Sequence, residues 1–327
     1  MENFRILKDI FFNNSSFLLT THVNPDADAI GSELAVYQIL KSLGKRAVIL
    51  NHSETPYNLK FLDTDNVIRK FNEDEHSLYF NESDVFIALD FNRSDRLVSM
   101  ETLFNKSDKL KVVIDHHLDE DIKANYKFID TRYSATGEII YDFIKQTNII
   151  KPDYKIALPI YAAIMTDTGS FRFERTTSRL HRFVAELLEL GVNPSEIYDQ
   201  IYDQSNFSRI RLLGEALTSL QLTGNGKSIA YMVVKQEQFK RLGAFESDTD
   251  NFVNFCLSVK GVKIGLLFIE LKDGFKVSFR SKGNIPVNKI AQEFGGGGHL
   301  NAAGARFRNE KLDQHIGKIL SFAEKYI

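Results

Sequence analysis

Residues 17–28 read Phe17-Leu18-Leu19-Thr20-Thr21-His22-Val23-Asn24-Pro25-Asp26-Ala27-Asp28. The first five are apolar or β-prone and form a buried strand on this reading. Ile30, Leu34, Tyr37 and Leu40 then recur at helical spacing, and Gly44 stands where a C-terminal helix cap belongs. Between strand and helix lie one imidazole and two carboxylates. Working outward, Ala47–Leu50, Val85–Leu89 and Val112–Ile114 are further short apolar runs. A helical pattern spans about Thr136 to Lys145, and another ends near Met165. Pro159 lies inside the latter, so that helix is expected to begin only near Pro159. Uninterrupted apolar strands alternating with helices predict a parallel sheet with both faces covered.

The pattern breaks around Gly191-Val192-Asn193-Pro194. Ile210, Leu213, Leu217 and Leu220 resume a helix that Thr223-Gly224-Asn225-Gly226 would end. Then come a strand over Ile229–Val234, helices, and two strands meeting at Lys272-Asp273-Gly274, a hairpin signal. A helix over Val287–Phe294, the run Gly295-Gly296-Gly297-Gly298-His299, a strand and a last helix follow. The expected organisation is α/β throughout: a parallel-sheet domain over 1–190, a linker over 191–213, and a smaller α/β domain over 214–327.

The 327 residues suit two domains. The net charge of −2 lacks the basic excess that long nucleic acid requires, so a phosphate site should be small and local. Cys256 is the single cysteine, sits in an apolar stretch, and can form no internal disulfide, which fits a reducing cytoplasm. Met1 to Thr20 shows no basic flank before a long apolar core, and no apolar run is long enough to cross a bilayer. Neither a signal peptide nor a membrane span is expected.

Acids and histidines gather just after the strands. The first strand runs into His22, Asp26 and Asp28, the third ends in Asp90, and the fourth in Asp115-His116-His117. The helix near Met165 ends in Thr166-Asp167-Thr168-Gly169-Ser170. Ligands of open parallel sheets bind beyond the carboxyl ends of the strands, so these clusters should converge. One Asp at a strand end is ordinarily a cap, and paired histidines are ordinarily surface residues. Four such clusters after successive elements call for cations to hold the carboxylates together. Asp with neutral imidazole suits Mn²⁺ best, Mg²⁺ next and Zn²⁺ less. The ligands suffice for two ions, which can clamp a phosphoryl oxygen and ionise water near neutral pH. His52, His76, His181 and His315 stand apart from the acids. Arg172 and Arg175 follow Asp167 closely enough to meet either a substrate or a local carboxylate.

In the second half, Arg280 ends a strand and can grip phosphate bidentately, while the glycine run lets backbone N–H groups approach an anion. Taken alone, that run reads first as a flexible turn.

These motifs resemble the DHH phosphoesterase family over nearly the whole chain. THVNPDADAIGS at Thr21–Ser32, Asp90 within ALDFNRSDRL, IDHH at Ile114–His117 and TDTGSFRF at Thr166–Phe173 occur in the family's order. FRSKG at Phe279–Gly283 and GGGGHLNAAG at Gly295–Gly304 resemble the DHH-associated domain. The pairing is similar to the branch acting on short oligoribonucleotides and adenosine 3′,5′-bisphosphate. The resemblance implies an active site in a cleft between the domains. His22, Asp26 and Asp90 would hold one metal, and Asp28, Asp90, His116 and Asp167 a second, with Asp90 bridging. His117 would face the substrate and Asp115 would orient the triplet. Arg280, Gly296, Gly297, Gly298 and His299 would bind substrate phosphate. One departure is Ala27, where the family commonly has Gly; a positive φ there would strain Ala.

The expected activity is metal-dependent hydrolysis of short single-stranded oligoribonucleotides to mononucleotides, and of adenosine 3′,5′-bisphosphate to AMP. Alternatives are a phosphodiesterase for cyclic or linear dinucleotides, a manganese pyrophosphatase, and a nucleotide-binding regulator without catalysis. FRSKG and GGGGH argue against the pyrophosphatase, and the complete ligand set against the regulator. A processive single-strand exonuclease is disfavoured by length and charge, and long duplexes and membranes are not expected partners.

Overall fold

The computed structural model describes residues 3–117 and 121–327, with the His299 side chain left undescribed. The chain divides into two compact units, 1–204 and 205–327. The boundary falls inside the expected 191–213 linker, much of which is helical. Val192, Ile197 and Ile201 are buried in the core of the first unit, which is why that unit runs past residue 190.

In the first unit the strands are β1 (Ser16–Thr20), β2 (Arg46–Asn51), β3 (Ile68–Lys70), β4 (Val85–Leu89), β5 (Leu110–Asp115) and β6 (Tyr126–Ile129). The helices are α1 (Phe4–Asn13), α2 (Ala27–Ser42), α3 (Glu73–His76), α4 (Leu78–Glu82), α5 (Glu101–Lys106), α6 (Thr136–Thr147), α7 (Tyr154–Asp167), α8 (Ser178–Glu189) and α9 (Pro194–Tyr202). The sheet order is β3-β2-β1-β4-β5-β6 and every pairing is parallel. β1 and β4 are buried at every position because side chains leave alternately into two cores. Val85, Ile87 and Leu89 join the core that includes residues of α1, α2, α6 and α7. Phe86 and Ala88 join Phe80, Leu97, Met100 and Phe104 on the other face. The strand order reverses between β1 and β4, so the crevice at their carboxyl ends is a topological switch point, where such sheets bind ligands.

α7 starts at Tyr154, not near Pro159. Asp153 caps it by accepting from Ile156 N at 3.3 Å, and Pro159 sits in the helix interior. An interior proline costs roughly 3 kcal/mol or more. Here it lies where α2 comes closest: a Cβ on Gly31 would stand 2.3 Å from the Pro159 carbonyl oxygen. Packing of this buried helix pair offsets the lost hydrogen bond.

The second unit contains β7 (Gln221–Thr223), β8 (Ile229–Val234), β9 (Ile264–Leu271), β10 (Gly274–Ser281), β11 (Gly297–His299) and β12 (Ala302–Arg308). Its helices are α10 (Phe207–Thr218), α11 (Gln236–Leu242), α12 (Asn254–Leu257), α13 (Val287–Glu293) and α14 (Ile316–Glu324). The sheet order is β11-β12-β10-β9-β8-β7, parallel only between β8 and β9. The hairpin at Lys272-Asp273-Gly274 joins β9 to β10, with Gly274 at φ +135. α10 ends at Thr218, so Leu220 lies outside it, and Leu212 and Ala216 make its buried face. The glycine run is no flexible turn. Its last part pairs with β12, and Cβ atoms on Gly296 and Gly298 would meet the carbonyl oxygens of Gly304 at 2.1 Å and Ala302 at 2.4 Å. Cys256 is buried, and burial pushes its thiol up to about 12.

Candidate metal centre

Three short segments bring the expected ligands of the first unit together. β1 continues through Thr21, whose hydroxyl donates to Leu89 O at 2.7 Å and whose N–H donates to Asn51 Oδ1 at 3.1 Å. This ties the His22 turn to the neighbouring strands. Asp26 caps α2 by accepting from the N–H groups of Asp28 and Ala29. Ala27 is the first residue of that helix and is absent from the left-handed residues, so it carries no backbone strain. Asp90 itself is left-handed, with φ +65, and its N–H donates to Ile114 O. Such a conformation in a non-glycine residue costs free energy and gathers at functional sites.

The ligand atoms fall into three interlocking groups, each within 4.8 Å: His22 with Asp26 and Asp90; Asp28 with His116 and Asp167; Asp90 with His116 and His117. His22 Nε2 lies 3.5 Å from Asp90 Oδ2. His116 Nε2 lies 3.2 Å from Asp167 Oδ2, 3.5 Å from Asp28 Oδ2 and 3.6 Å from Asp90 Oδ1. His52, His76, His181 and His315 join none of these groups.

Asp115 is buried, and its Oδ1 accepts from the N–H groups of His116 and His117 and from His117 Nδ1 at 2.8 Å. A carboxylate only accepts, so Nδ1 carries the proton, and the His117 ring is half-exposed. Arg172 donates to Gly169 O, a local contact.

Burial and mutual repulsion set the charges. Burial first, then the charge of Asp167, pushes the Asp28 carboxyl up to about 7. Burial and the facing carboxylates hold Asp90 well above the ordinary carboxylate range. Burial keeps His22 below its ordinary value, with Nδ1 2.9 Å from Val23 O and 3.1 Å from Arg96 Nη2, and Nε2 3.5 Å from Asp90 Oδ2. Burial opposes protonation of His116 too, but contact with Asp167 and the charge of Asp28 bring it up to about 9. Asp90 Oδ2 and both ring nitrogens of His116 are buried without a hydrogen-bond partner among the described residues. Unpartnered polar atoms beside crowded carboxylates fit a divalent cation, which would displace the protons and take the lone pairs they leave.

Thr136 was not singled out by the sequence. Its hydroxyl donates to Asp90 Oδ1 at 2.9 Å, and its N–H donates to Asp28 Oδ2 at 2.7 Å. Gly137 N–H donates to Asp28 Oδ1 at 2.9 Å.

Residues 16–164 match the DHH family, N-terminal domain, and residues 226–327 match the DHHA1 domain. The chain is 32% identical over 305 residues to a bifunctional oligoribonuclease and PAP phosphatase NrnA of Thermus thermophilus, covering 92% of this chain and 87% of that protein. The chain belongs to the DHH family. A Bacillus subtilis relative of the same name is 28% identical, with 89% of this chain and 88% of that one covered. Among solved structures, an exopolyphosphatase-related protein from Bacteroides fragilis superposes with a TM-score of 0.91 at 29% identity, covering 99% of this chain and 96% of that one. The ligand groups sit on the β1, β4 and β5 ends of the DHH domain and on the last turn of α7. Arg280 and the glycine run belong to the DHHA1 domain.

Arg280 lies on β10 with its side chain half-buried, and burial draws its pKa down. Among the described residues it makes no carboxylate ion pair, and its Nη1 donates to Phe279 O. It lines a polar cavity of about 250 Å³ with Lys276, Ser278, Asp250 and Asn251. Among the described residues, no helix is long and apolar enough to cross a membrane.

Proposed function

We propose that this chain is a divalent-metal-dependent phosphoesterase that hydrolyses short oligoribonucleotides to mononucleotides and adenosine 3′,5′-bisphosphate to AMP in the cytoplasm. The observation that carries this reading is the division of Asp90. Its Oδ2 faces His22 and its Oδ1 faces His116, so one buried carboxylate serves two ligand groups. The names of the relatives that align along most of the chain supply the substrate class.

In this reading His22, Asp26 and Asp90 would hold one ion, and Asp28, Asp90, His116 and Asp167 would hold the other. The carboxylate and imidazole donors suit Mn²⁺, with Mg²⁺ second. Ions held there would supply Lewis acidity toward the phosphoryl group and a water that ionises near neutral pH. The chain's own residues do the rest. Asp115 fixes the His117 tautomer and aims Nε2 outward, where a protonated ring donates to the leaving oxygen. Arg280, lacking a carboxylate partner among the described residues, takes a substrate phosphate with a charge-assisted hydrogen bond. Gly296, Gly297 and Gly298 bring backbone close to that phosphate. The expected His299 contact involves a side chain outside the described residues and stays part of the proposal.

A product time course with Mn²⁺ tests this across diribonucleotides, longer oligomers, adenosine 3′,5′-bisphosphate, cyclic dinucleotides and pyrophosphate. Mononucleotide release from the dimers and AMP release from the bisphosphate are expected. Turnover confined to cyclic dinucleotides or pyrophosphate would reject the reading.

A further inference from the structure

We infer that Thr136 is a positioning residue that holds Asp90 in its bridging orientation, so that the two metal ions of the proposed function share one carboxylate. The inference rests on that metal reading and adds the device that makes it work.

A carboxylate rotates easily about its last side-chain torsion, which is broad and roughly two-fold. Left free, Asp90 could turn both oxygens toward one ion and leave its neighbour short of a ligand. The structure shows what prevents the turn. Thr136 Oγ1 donates to Asp90 Oδ1 at 2.9 Å, across 46 residues of sequence. A hydroxyl proton occupies one lone pair of Oδ1 and leaves the other for the His116 group. Oδ2 keeps no hydrogen bond among the described residues and stays toward His22. The same residue sets the second carboxylate, since Thr136 and Gly137 N–H groups each bind one oxygen of Asp28, and Ser32 Oγ adds a third contact at 3.2 Å. Thr136 is therefore the one contact among the described residues that touches both Asp28 and Asp90 through separate groups.

Its own placement is fixed from behind. Ser134, two residues earlier, gives both its N–H and its hydroxyl to Glu138 Oε2, at 2.8 and 2.9 Å. Arg179 of α8 holds Glu138 Oε1 at 3.1 Å and Asp142 Oδ2 at 3.2 Å, and stacks over the Tyr133 ring at 4.6 Å. Gly137 packs against α7 so closely that a Cβ would reach Ala163 Cβ at 2.6 Å. The loop entering α6 is thus clamped on three sides and cannot follow Asp90 if the carboxylate turns.

The test replaces the hydroxyl by a methyl group of the same size. Thr136→Val keeps the N–H that binds Asp28 and removes only the bond to Asp90; Thr136→Ser restores it. Full-length wild type and both variants are stripped with chelator and titrated with Mn²⁺ by calorimetry, and the loaded proteins are examined by electron paramagnetic resonance. Wild type and Thr136→Ser should bind two ions and give the spectrum of an exchange-coupled pair. Thr136→Val should bind the second ion at least tenfold more weakly and lose the coupled spectrum, while its metal-free melting temperature shows that it folds. If Thr136→Val does not fold, Thr136→Ala is read in its place with the same expectation. An unchanged coupled spectrum in the folded variant overturns the inference and leaves the metal reading standing. A wild-type chain that never forms a coupled pair overturns both.

Discussion

His117 Nδ1 lies 2.8 Å from Asp115 Oδ1, while the adjacent His116 places its Nε2 3.2 Å from Asp167 Oδ2. On the proposed function the two histidines of the triplet do different work. His116→Ala should lose bound Mn²⁺ on dialysis. His117→Ala should keep most of it and lose kcat by on the order of a hundredfold, the usual contribution of a proton donor. Metal analysis of both dialysed variants beside their kinetics decides this, and equal metal loss in the two would show the division to be wrong.

Asp90→Asn should abolish turnover without unfolding the chain. The amide keeps the shape and can still accept from Thr136, but it cannot neutralise two cations. Metal activation lowers the pKa of water by roughly eight units, so losing the clamp should cost several orders of magnitude in rate. Circular dichroism and activity of the purified variant measure this. Turnover near that of wild type at saturating Mn²⁺ would refute the shared-carboxylate assignment.

Metal affinity should rise with pH. The folded, metal-free site holds protons that the unfolded chain has released: Asp28 titrates at about 7 against an ordinary 3.8, and His116 at about 9 against 6.5. A group raised in the fold stabilises it fully below its unfolded pKa and loses that contribution as pH rises through its folded one. Metal-free protein should accordingly lose stability between about pH 4 and 9, and added Mn²⁺ should restore more of it at pH 8 than at pH 6. Calorimetry at both pH values, in buffers of different ionisation enthalpy, should show tighter binding at pH 8 and net proton release at pH 6. A pH-independent affinity would mean that the site is already deprotonated.

If the proposed Arg280–phosphate contact is equal in ground and transition states, Arg280→Ala should raise KM more than it lowers kcat. Losing a charge-assisted hydrogen bond, worth about 1.5–3 kcal/mol, predicts a KM increase of about tenfold to a hundredfold. A net charge of −2 gives no sign of an extended basic track, so longer strands should gain little and kcat/KM should be highest for oligomers of about two to five nucleotides. A rate climbing steadily to about twenty nucleotides would favour processive degradation instead.

What the sequence disclosed follows from burial. β1, β4 and β5 are buried at nearly every position because both faces are covered, so the apolar runs inside them and the acids beyond them stand out. The edge strands β3 and β6 are short and only partly buried, and residues such as Arg69, Lys70 and Lys127 erase any apolar run. The start of α7 was hidden because Pro159 is tolerated through a contact with Gly31 that no local pattern records. Thr136 escaped for the same reason: within Ser134-Ala135-Thr136-Gly137-Glu138 it reads as a helix start, and its partners Asp28 and Asp90 are distant in sequence. In the glycine run, the close approach of β12 explains residues that composition alone assigned to flexibility.

The most direct test of the account is the rate of diribonucleotide hydrolysis as chelator-stripped protein is titrated with Mn²⁺. The chain should be silent without metal, remain nearly so through the first equivalent, and reach its plateau near the second. Full turnover without metal, or a plateau at one equivalent, would contradict a pair of ions shared by Asp90.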